Sequence, residues 1–262
     1  MKQTLYNGWK NLETIQAKEI IYELADAKKR SLAKILVSST GGGKTNSIKL
    51  FSKTNPECTY VITVGASYKL ADVINEMLEV LEIKNEFGRF QNHNIRPKLK
   101  AIATRLRELK SSGKKPIIIL DECENIYVQV LKMLKELYDA AHHYCAIVLI
   151  GTDQIMDAIH NKRNKNRQSV PQLWRRFKAG TRFITPLDKA RDFKPFFQLY
   201  IPGALDVQDI LLECCDNYGE LHDYLEPVMI YCADKDEPVT EKIFRMIHKM
   251  PKQQNQKSLK RA

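Results

Sequence analysis

The sequence predicts an α/β fold: a three-layer αβα sandwich on a parallel five-stranded sheet, followed by a small C-terminal helical lid. Three observations predict it. Five short apolar runs are separated by helical segments, and each is apolar throughout rather than alternating, as in strands buried on both faces. The first run ends in Ser38-Ser39-Thr40-Gly41-Gly42-Gly43-Lys44-Thr45 and opens directly into a helical pattern. After Pro186 the pattern is helical only.

Taken in order, residues 11–30 place Leu12, Ile15, Ile20 and Leu24 at helical spacing. Residues 33–37 (AKILV) are the first strand, and a helix begins near Lys44. Residues 60–64 (YVITV) form a second strand, and residues 69–81 a helix whose stripe is Leu70, Val73, Ile74, Met77, Leu78 and Leu81. A basic helix over 98–110 ends at Ser-Ser-Gly. Residues 116–120 (PIIIL) are the third strand, 127–141 a helix, 145–150 (CAIVLI) the fourth strand and 181–184 (TRFI) a weaker fifth. Helices follow near 206–217, 219–233 and 240–249. This divides the chain into an N-terminal helical segment (1–30), a nucleotide-binding α/β domain (31–187), a helical lid (188–250) and a polar, basic tail (251–262) expected to be disordered.

The eight residues from Ser38 to Thr45 match the P-loop pattern G-x-x-x-x-G-K-[ST], with serine in place of the first glycine. Consecutive glycines let backbone N–H groups of the loop, from Ser39, Thr40, Gly41, Gly42 and Gly43 onward, turn towards phosphate oxygens. Lys44 supplies charge for the β- and γ-phosphates, the Thr45 hydroxyl can coordinate Mg²⁺, and the helix N-terminus favours an anion. The third strand delivers Asp121 and Glu122 at its carboxyl end, where open α/β sheets bind ligands. Asp121 would hold Mg²⁺, and Glu122 would polarise the water that attacks the γ-phosphate. Two acids closing a buried strand are costly unless a cation or a reaction uses them.

Composition narrows the classes. The chain has 262 residues, 44% hydrophobic and 28% charged, values of an ordinary globular protein. No apolar run reaches membrane-span length and the N-terminus has no signal-peptide pattern, so a cytosolic location without membrane is expected. The six cysteines include no C-x-x-C pair and no zinc-ligand spacing, which predicts neither disulfides nor structural metal. The net charge of +11 is concentrated: residues 89–115 hold nine Lys/Arg against one acid, and residues 160–182 hold eight and none. Clustering of this kind favours a polyanionic partner.

With both halves of the site placed, the chain resembles the AAA+ ATPases, and more narrowly the DNA-transposition regulators of the Mu B and TnsC type. That resemblance, carried by short motifs over roughly residues 12–250, implies a P-loop NTPase sheet with its strands in the order fifth, first, fourth, third, second, and a helical lid. It implies ATP and Mg²⁺ as cofactors, duplex DNA bound with little sequence preference, self-assembly into rings or helical filaments, and a transposase as partner. Thr152, after the fourth strand, matches the polar sensor that orients the lytic water, or else caps the next helix. Arg175 and Arg176 match the segment bearing an arginine finger, which acts on a neighbouring subunit's γ-phosphate; either could instead contact DNA. His222 stands where the lid commonly carries an arginine, and imidazole is the poorer phosphate ligand. DNA contacts are expected at Arg96, Lys98, Lys100, Arg105 and Arg107, and at Lys162, Arg163, Lys165 and Arg167.

Related readings are a helicase loader or other AAA+ DNA-remodelling factor, which shares these features, and a DNA scaffold that binds ATP without hydrolysing it. A superfamily-two helicase lobe fits less well. Its strand after the Asp-Glu pair ends in Ser-Ala-Thr, not Gly-Thr-Asp, and 262 residues do not accommodate a second lobe.

Overall fold

The computed structural model describes residue 6 and residues 8–83, 95–165 and 170–251. The chain forms two compact units, Ile15–Pro186 and Met1–Thr14 with Leu187–Ala262. Among the described residues no helix is long and apolar enough to cross a membrane.

In the larger unit, helix α1 (Ile15–Arg30) leads into strand β1 (Ala33–Val37) and helix α2 (Lys44–Thr54). Strand β2 (Thr59–Thr63) is followed by α3 (Leu70–Val80) and α4 (Ile95–Ser111). Then come β3 (Ile117–Asp121), α5 (Val128–Ala141) and β4 (Ala146–Gly151). Helices α6 (Gln154–Lys165) and α7 (Val170–Phe177) precede β5 (Thr181–Phe183). The sheet runs β2-β3-β4-β1-β5 with every pair parallel, which is the expected order read from the other edge.

Both faces of the sheet are covered. Ile118 and Leu120 of β3 join Ile147 and Leu149 of β4 in a core with Val73, Ile102, Leu106 and Leu134. The alternate residues Ile117, Ile119, Val148 and Ile150 pack with Ile20, Leu24, Ile48 and Phe51 of α1 and α2. This two-sided burial is why β3 and β4 are apolar at every position. Each fully buried aliphatic side chain contributes about 1.5–3 kcal/mol of transfer free energy.

Helix α1 therefore belongs to the sheet domain, a correction to a separate segment 1–30, because Ile20, Leu24 and Ala27 of its apolar stripe are buried in the core under the sheet. An ionic contact adds to that stripe. Lys34 of β1, with 2% of its side chain accessible, pairs with Glu23 and, at 2.6 Å, with Asp26, which also bonds Arg30 at 2.6 Å.

Helix α6 follows Thr152, where the next helix is expected, and α7 adds a helix that the basic segment conceals. Val170, Leu173, Trp174 and Phe177 fall at helical spacing, and Val170, Leu173 and Phe177 are buried. The density of lysine and arginine obscured that period.

The smaller unit contains α8 (Lys189–Asp192), α9 (Lys194–Tyr200), α10 (Leu205–Cys214), α11 (Tyr218–Lys235) and α12 (Glu241–His248). Phe193, Phe197, Leu211, Leu221, Leu225 and Phe244 form its core. Asn217 and Thr240 cap α11 and α12 through their side chains. Trp9 stacks on Phe196 at 5.3 Å and Tyr200 at 4.9 Å, so residues before α1 belong here rather than with the sheet. Residues 252–262, the expected tail, lie outside the described residues.

Asp26 gives a pH test of the α1 anchor. Hydrogen bonds from Arg30 and then Lys34 hold its carboxyl down to about 2. A depressed carboxylate contributes stability above the ordinary aspartate range and loses it as pH falls through the folded value. Asp26→Asn is expected to cost about 1–2 kcal/mol in urea unfolding at pH 7, with the gap from the parent closing as pH falls from about 4 towards 2.

Candidate nucleotide-binding site

Strand order creates the site. The chain leaves β1 across α2 on one face, whereas it leaves β4, the neighbour of β1, through α6 and α7 on the other. That divergence opens a crevice at the carboxyl ends of β1 and β4, a common location for ligands in open sheets.

The loop after β1 is pinned at its start by the Ser38 amide, which donates to the Gly151 carbonyl of β4 at 3.0 Å. It then curls on itself, the Gly42 amide donating to the Ser39 carbonyl at 3.2 Å. A Cβ on Gly42 would meet Ser38 Oγ at 2.9 Å and the Ser39 carbonyl oxygen at 3.1 Å, so a side chain has no room there. Gly43, at φ 81°, takes the left-handed conformation that lets α2 start immediately, and a Cβ there would face open space. Serine in place of the first consensus glycine is tolerated because Gly42 lies opposite its hydroxyl. Ser39 and Thr40 are exposed, and Gly41 has φ 67°.

Lys44 and Thr45 project from the first turn of α2. Lys44 Nζ donates to the carbonyls of Ser38 at 3.3 Å and Ser39 at 3.0 Å, which keeps its charge over the loop. Thr45 Oγ1 donates to Asp121 Oδ2 at 3.0 Å. That bond spans the end of β4 and joins the glycine loop to the acids of β3.

Asp121 is 1% exposed. Burial pushes its carboxyl up, opposed by the Thr45 bond, the Glu122 amide and the Lys44 charge. The Glu122 amide donates to Asp121 Oδ1 at 3.0 Å, and Glu122 itself has φ 56°, a left-handed conformation costing about 1–2 kcal/mol outside glycine. Glu122 is exposed, and its carboxylate has no partner among the described residues.

These residues suit a magnesium–triphosphate. The glycine loop and helix start match phosphate, and the Thr45 hydroxyl and Asp121 carboxylate are hard oxygen donors of the kind Mg²⁺ takes when phosphates complete its shell.

Thr152 follows β4 and is 6% exposed. Its hydroxyl has no partner among the described residues and makes no capping bond. Its amide donates to Glu124 Oε2 at 3.3 Å. Glu124 was not singled out in the sequence; the only trace was a further acid in Asp-Glu-Cys-Glu.

Arg175 and Arg176 differ sharply. Arg176 binds Asp139 at 2.6 and 2.7 Å, donates to the Gln172 carbonyl at 2.8 Å and lies over Tyr138 at 5.7 Å, a clamp between α7 and α5. Arg175 is exposed, with no partner among the described residues. His222 belongs to the smaller unit, where its nitrogens meet Asp223 and Glu226, each at 3.0 Å, and its ring meets Trp9 edge-on at 4.9 Å. Both nitrogens are thus engaged by carboxylates within that unit.

On α4, Leu99, Ile102, Leu106 and Leu109 face the core and the basic residues face outward. Arg96 and Lys100 are exposed without partners among the described residues. Lys98 bonds Asn75 at 3.0 Å, Arg105 approaches Glu108 at 3.9 Å, and Arg107 lies over Tyr144 at 5.2 Å. Lys162, Arg163 and Lys165 fall on the last turns of α6 with side chains outside the described residues, as Arg167 is altogether.

Comparison with known proteins bears on the family and the fold. A family model described as an AAA domain matches residues 28–159. The Mu-like prophage FluMu DNA transposition protein B of Haemophilus influenzae is 22% identical over 170 residues, 65% of this chain and 55% of that protein. The chain thus spans about half the length of this curated relative. Two solved structures share the fold. A DNA replication initiation factor superposes with TM-score 0.50 at 16% identity, covering 88% of this chain and 65% of that one. The replication initiator DnaA bound to AMPPCP and single-stranded DNA superposes with TM-score 0.52 at 17% identity, covering 89% and 67%.

Gly42→Ala tests the cradle. The added methyl is expected to weaken magnesium–ATP binding about tenfold or more by displacing the loop. Titration calorimetry reads the affinity, and an unchanged melting temperature shows that the sheet is intact.

Proposed function

The chain belongs to the AAA-domain family of P-loop ATPases, and from that premise we propose that it binds and hydrolyses ATP while assembled with its own copies on duplex DNA, as a regulator of DNA transposition. The observation that carries the nucleotide half is the Thr45–Asp121 bond, which brings the hydroxyl and carboxylate of a magnesium site into contact beside a glycine loop. Magnesium, when bound, neutralises phosphate charge and offsets the charge that develops as the γ-phosphate leaves. The glycine loop and Lys44 hold the triphosphate, and Thr45 and Asp121 orient it. Glu122, exposed and without a partner among the described residues, lies beside Asp121 and accepts the proton of the attacking water. Thr152 offers its hydroxyl to the same reaction.

Assembly is supported by Arg175. An arginine exposed and with no partner among the described residues suits a neighbour's γ-phosphate, whereas Arg176 is committed to Asp139. DNA binding is supported by the outward basic face of α4, led by Arg96 and Lys100, which offers phosphate contacts and no fixed fingerprint for base edges. The transposition role, with a transposase as partner, rests on the likeness to the FluMu protein. A helicase loader or another DNA-remodelling AAA+ factor is the second reading, supported by the fold shared with replication initiators.

Electron microscopy with duplex DNA and a non-hydrolysable ATP analogue is expected to show rings or helical filaments. Scattered monomers at near-physiological salt would remove the assembly claim.

Point variants resolve the roles. Lys44→Ala is expected to abolish nucleotide binding, and Glu122→Gln to retain binding while lowering turnover at least about 100-fold. Arg175→Ala should lower DNA-stimulated turnover about 1000-fold without changing the melting temperature. Arg176→Ala should instead destabilise the fold by about 1–3 kcal/mol. Normal hydrolysis by Glu122→Gln contradicts the assigned base.

A further inference from the structure

The carboxyl end of β4 is gripped from both sides. On the β1 side the Gly151 carbonyl accepts the Ser38 amide at 3.0 Å. On the β3 side Glu124 Oε2 accepts the Thr152 amide at 3.3 Å. Glu124 reaches that amide across Gly151, where a Cβ would lie 2.7 Å from Glu124 Oε2 and 3.2 Å from the Glu124 backbone nitrogen. Gly151 has no left-handed backbone to explain its identity. Its missing side chain is what leaves space for the carboxylate.

Beside this contact stands the Thr152 hydroxyl, buried and without a partner among the described residues. A threonine side chain is restricted at its one heavy-atom torsion, so fixing its backbone narrows the directions its hydroxyl can take.

We propose that Glu124 is a positioning residue: by accepting the Thr152 amide through the space left at Gly151, it sets the Thr152 hydroxyl for the γ-phosphate. The role of Glu124 rests on the ATPase reading above, because Thr152 must face the nucleotide for it to matter. It also gives the third acid of Asp121-Glu122-Cys123-Glu124 a task distinct from the other two. Asp121 faces the Thr45 hydroxyl, Glu122 is exposed, and Glu124 bridges β3 to β4.

The bond and the charge of Glu124 can be separated. Glu124→Gln keeps an acceptor for the Thr152 amide and removes the negative charge, whereas Glu124→Ala removes both. Gly151→Ala leaves Glu124 intact but expels its carboxylate from the pocket.

The full chain and these three variants, with Glu124→Ala/Gly151→Ala combined, are compared for DNA-stimulated ATP turnover, ATP affinity and melting temperature. Glu124→Ala is expected to lower kcat about tenfold or more, since displacement of a positioned group by about 1 Å has effects of this order, while ATP affinity and melting temperature hold. Glu124→Gln should stay within about threefold of the parent, and Gly151→Ala should match Glu124→Ala with no further loss when the two are combined.

Parent-like turnover in Glu124→Ala, a Glu124→Gln variant as slow as the alanine, or losses that multiply in the double variant would overturn the role. If Glu124→Ala does not fold, a slow Gly151→Ala beside a normal Glu124→Gln supports it, and a Gly151→Ala at the parent rate overturns it. A parent chain with no turnover under any condition removes the ATPase reading and this role together. A parent that turns over beside an unaffected Glu124→Ala removes this role alone.

Discussion

A carboxylate that must be buried is the constraint on which the rest of this domain depends. Asp121 ends a strand whose five residues are all buried, and it is itself 1% exposed. Leaving such a group without partners costs several kcal/mol, so the surroundings must supply donors or positive charge. Thr45 and the Glu122 amide supply the donors, and Lys44 supplies the charge. Since β3 and β1 are separated by β4, Thr45 reaches Asp121 only because α2 starts at Lys44 with no intervening residue. The left-handed Gly43 makes that start possible. One electrostatic requirement is thus met by the loop conformation, the helix start and the strand order together.

The same logic separates structural from available charge elsewhere. Lys34 and Arg176 look alike in the sequence as two more cations of a basic chain. Lys34 is sealed between α1 and the sheet with Glu23 and Asp26, and Arg176 is locked on Asp139. A cation satisfied in its own fold has little left to offer a phosphate. Arg96, Lys100 and Arg175, exposed and unpaired among the described residues, retain theirs. The net charge of +11 therefore overstates what is available to a polyanion, and the location of each charge decides the matter.

Legibility in the sequence followed physical cause. The strands were readable as short apolar runs, most plainly β3 and β4 with their two-sided burial, whereas the sheet order came only with the family resemblance. Thr45 and Asp121 were readable as partners because their chemistry is tied to a pattern of residue types. The split between Arg175 and Arg176 was not readable, since it depends on Asp139, more than thirty residues away in the chain. Helix α7 was missed because charge was weighed before periodicity, though Val170, Leu173, Trp174 and Phe177 show the period plainly. The Glu124–Thr152 bond leaves almost no trace in one dimension: a glutamate beside the acids, and a glycine whose reason is the space it does not fill.

The backbone at Glu122 shows why these acids stand side by side at a strand end. In a continuing strand, neighbouring side chains point to opposite faces, and Asp121 and Glu122 would be divided by the sheet. The left-handed turn at φ 56° breaks that alternation. It leaves Asp121 buried against Thr45 and Glu122 exposed beside it, while Cys123 returns to the core at 0% exposure. The strain of about 1–2 kcal/mol is tolerated because both flanks are fixed, by the buried strand before it and by Cys123, buried in the same core, after it. A residue that resists this conformation is thereby held in it, and the two carboxylates can take different tasks at a single strand end.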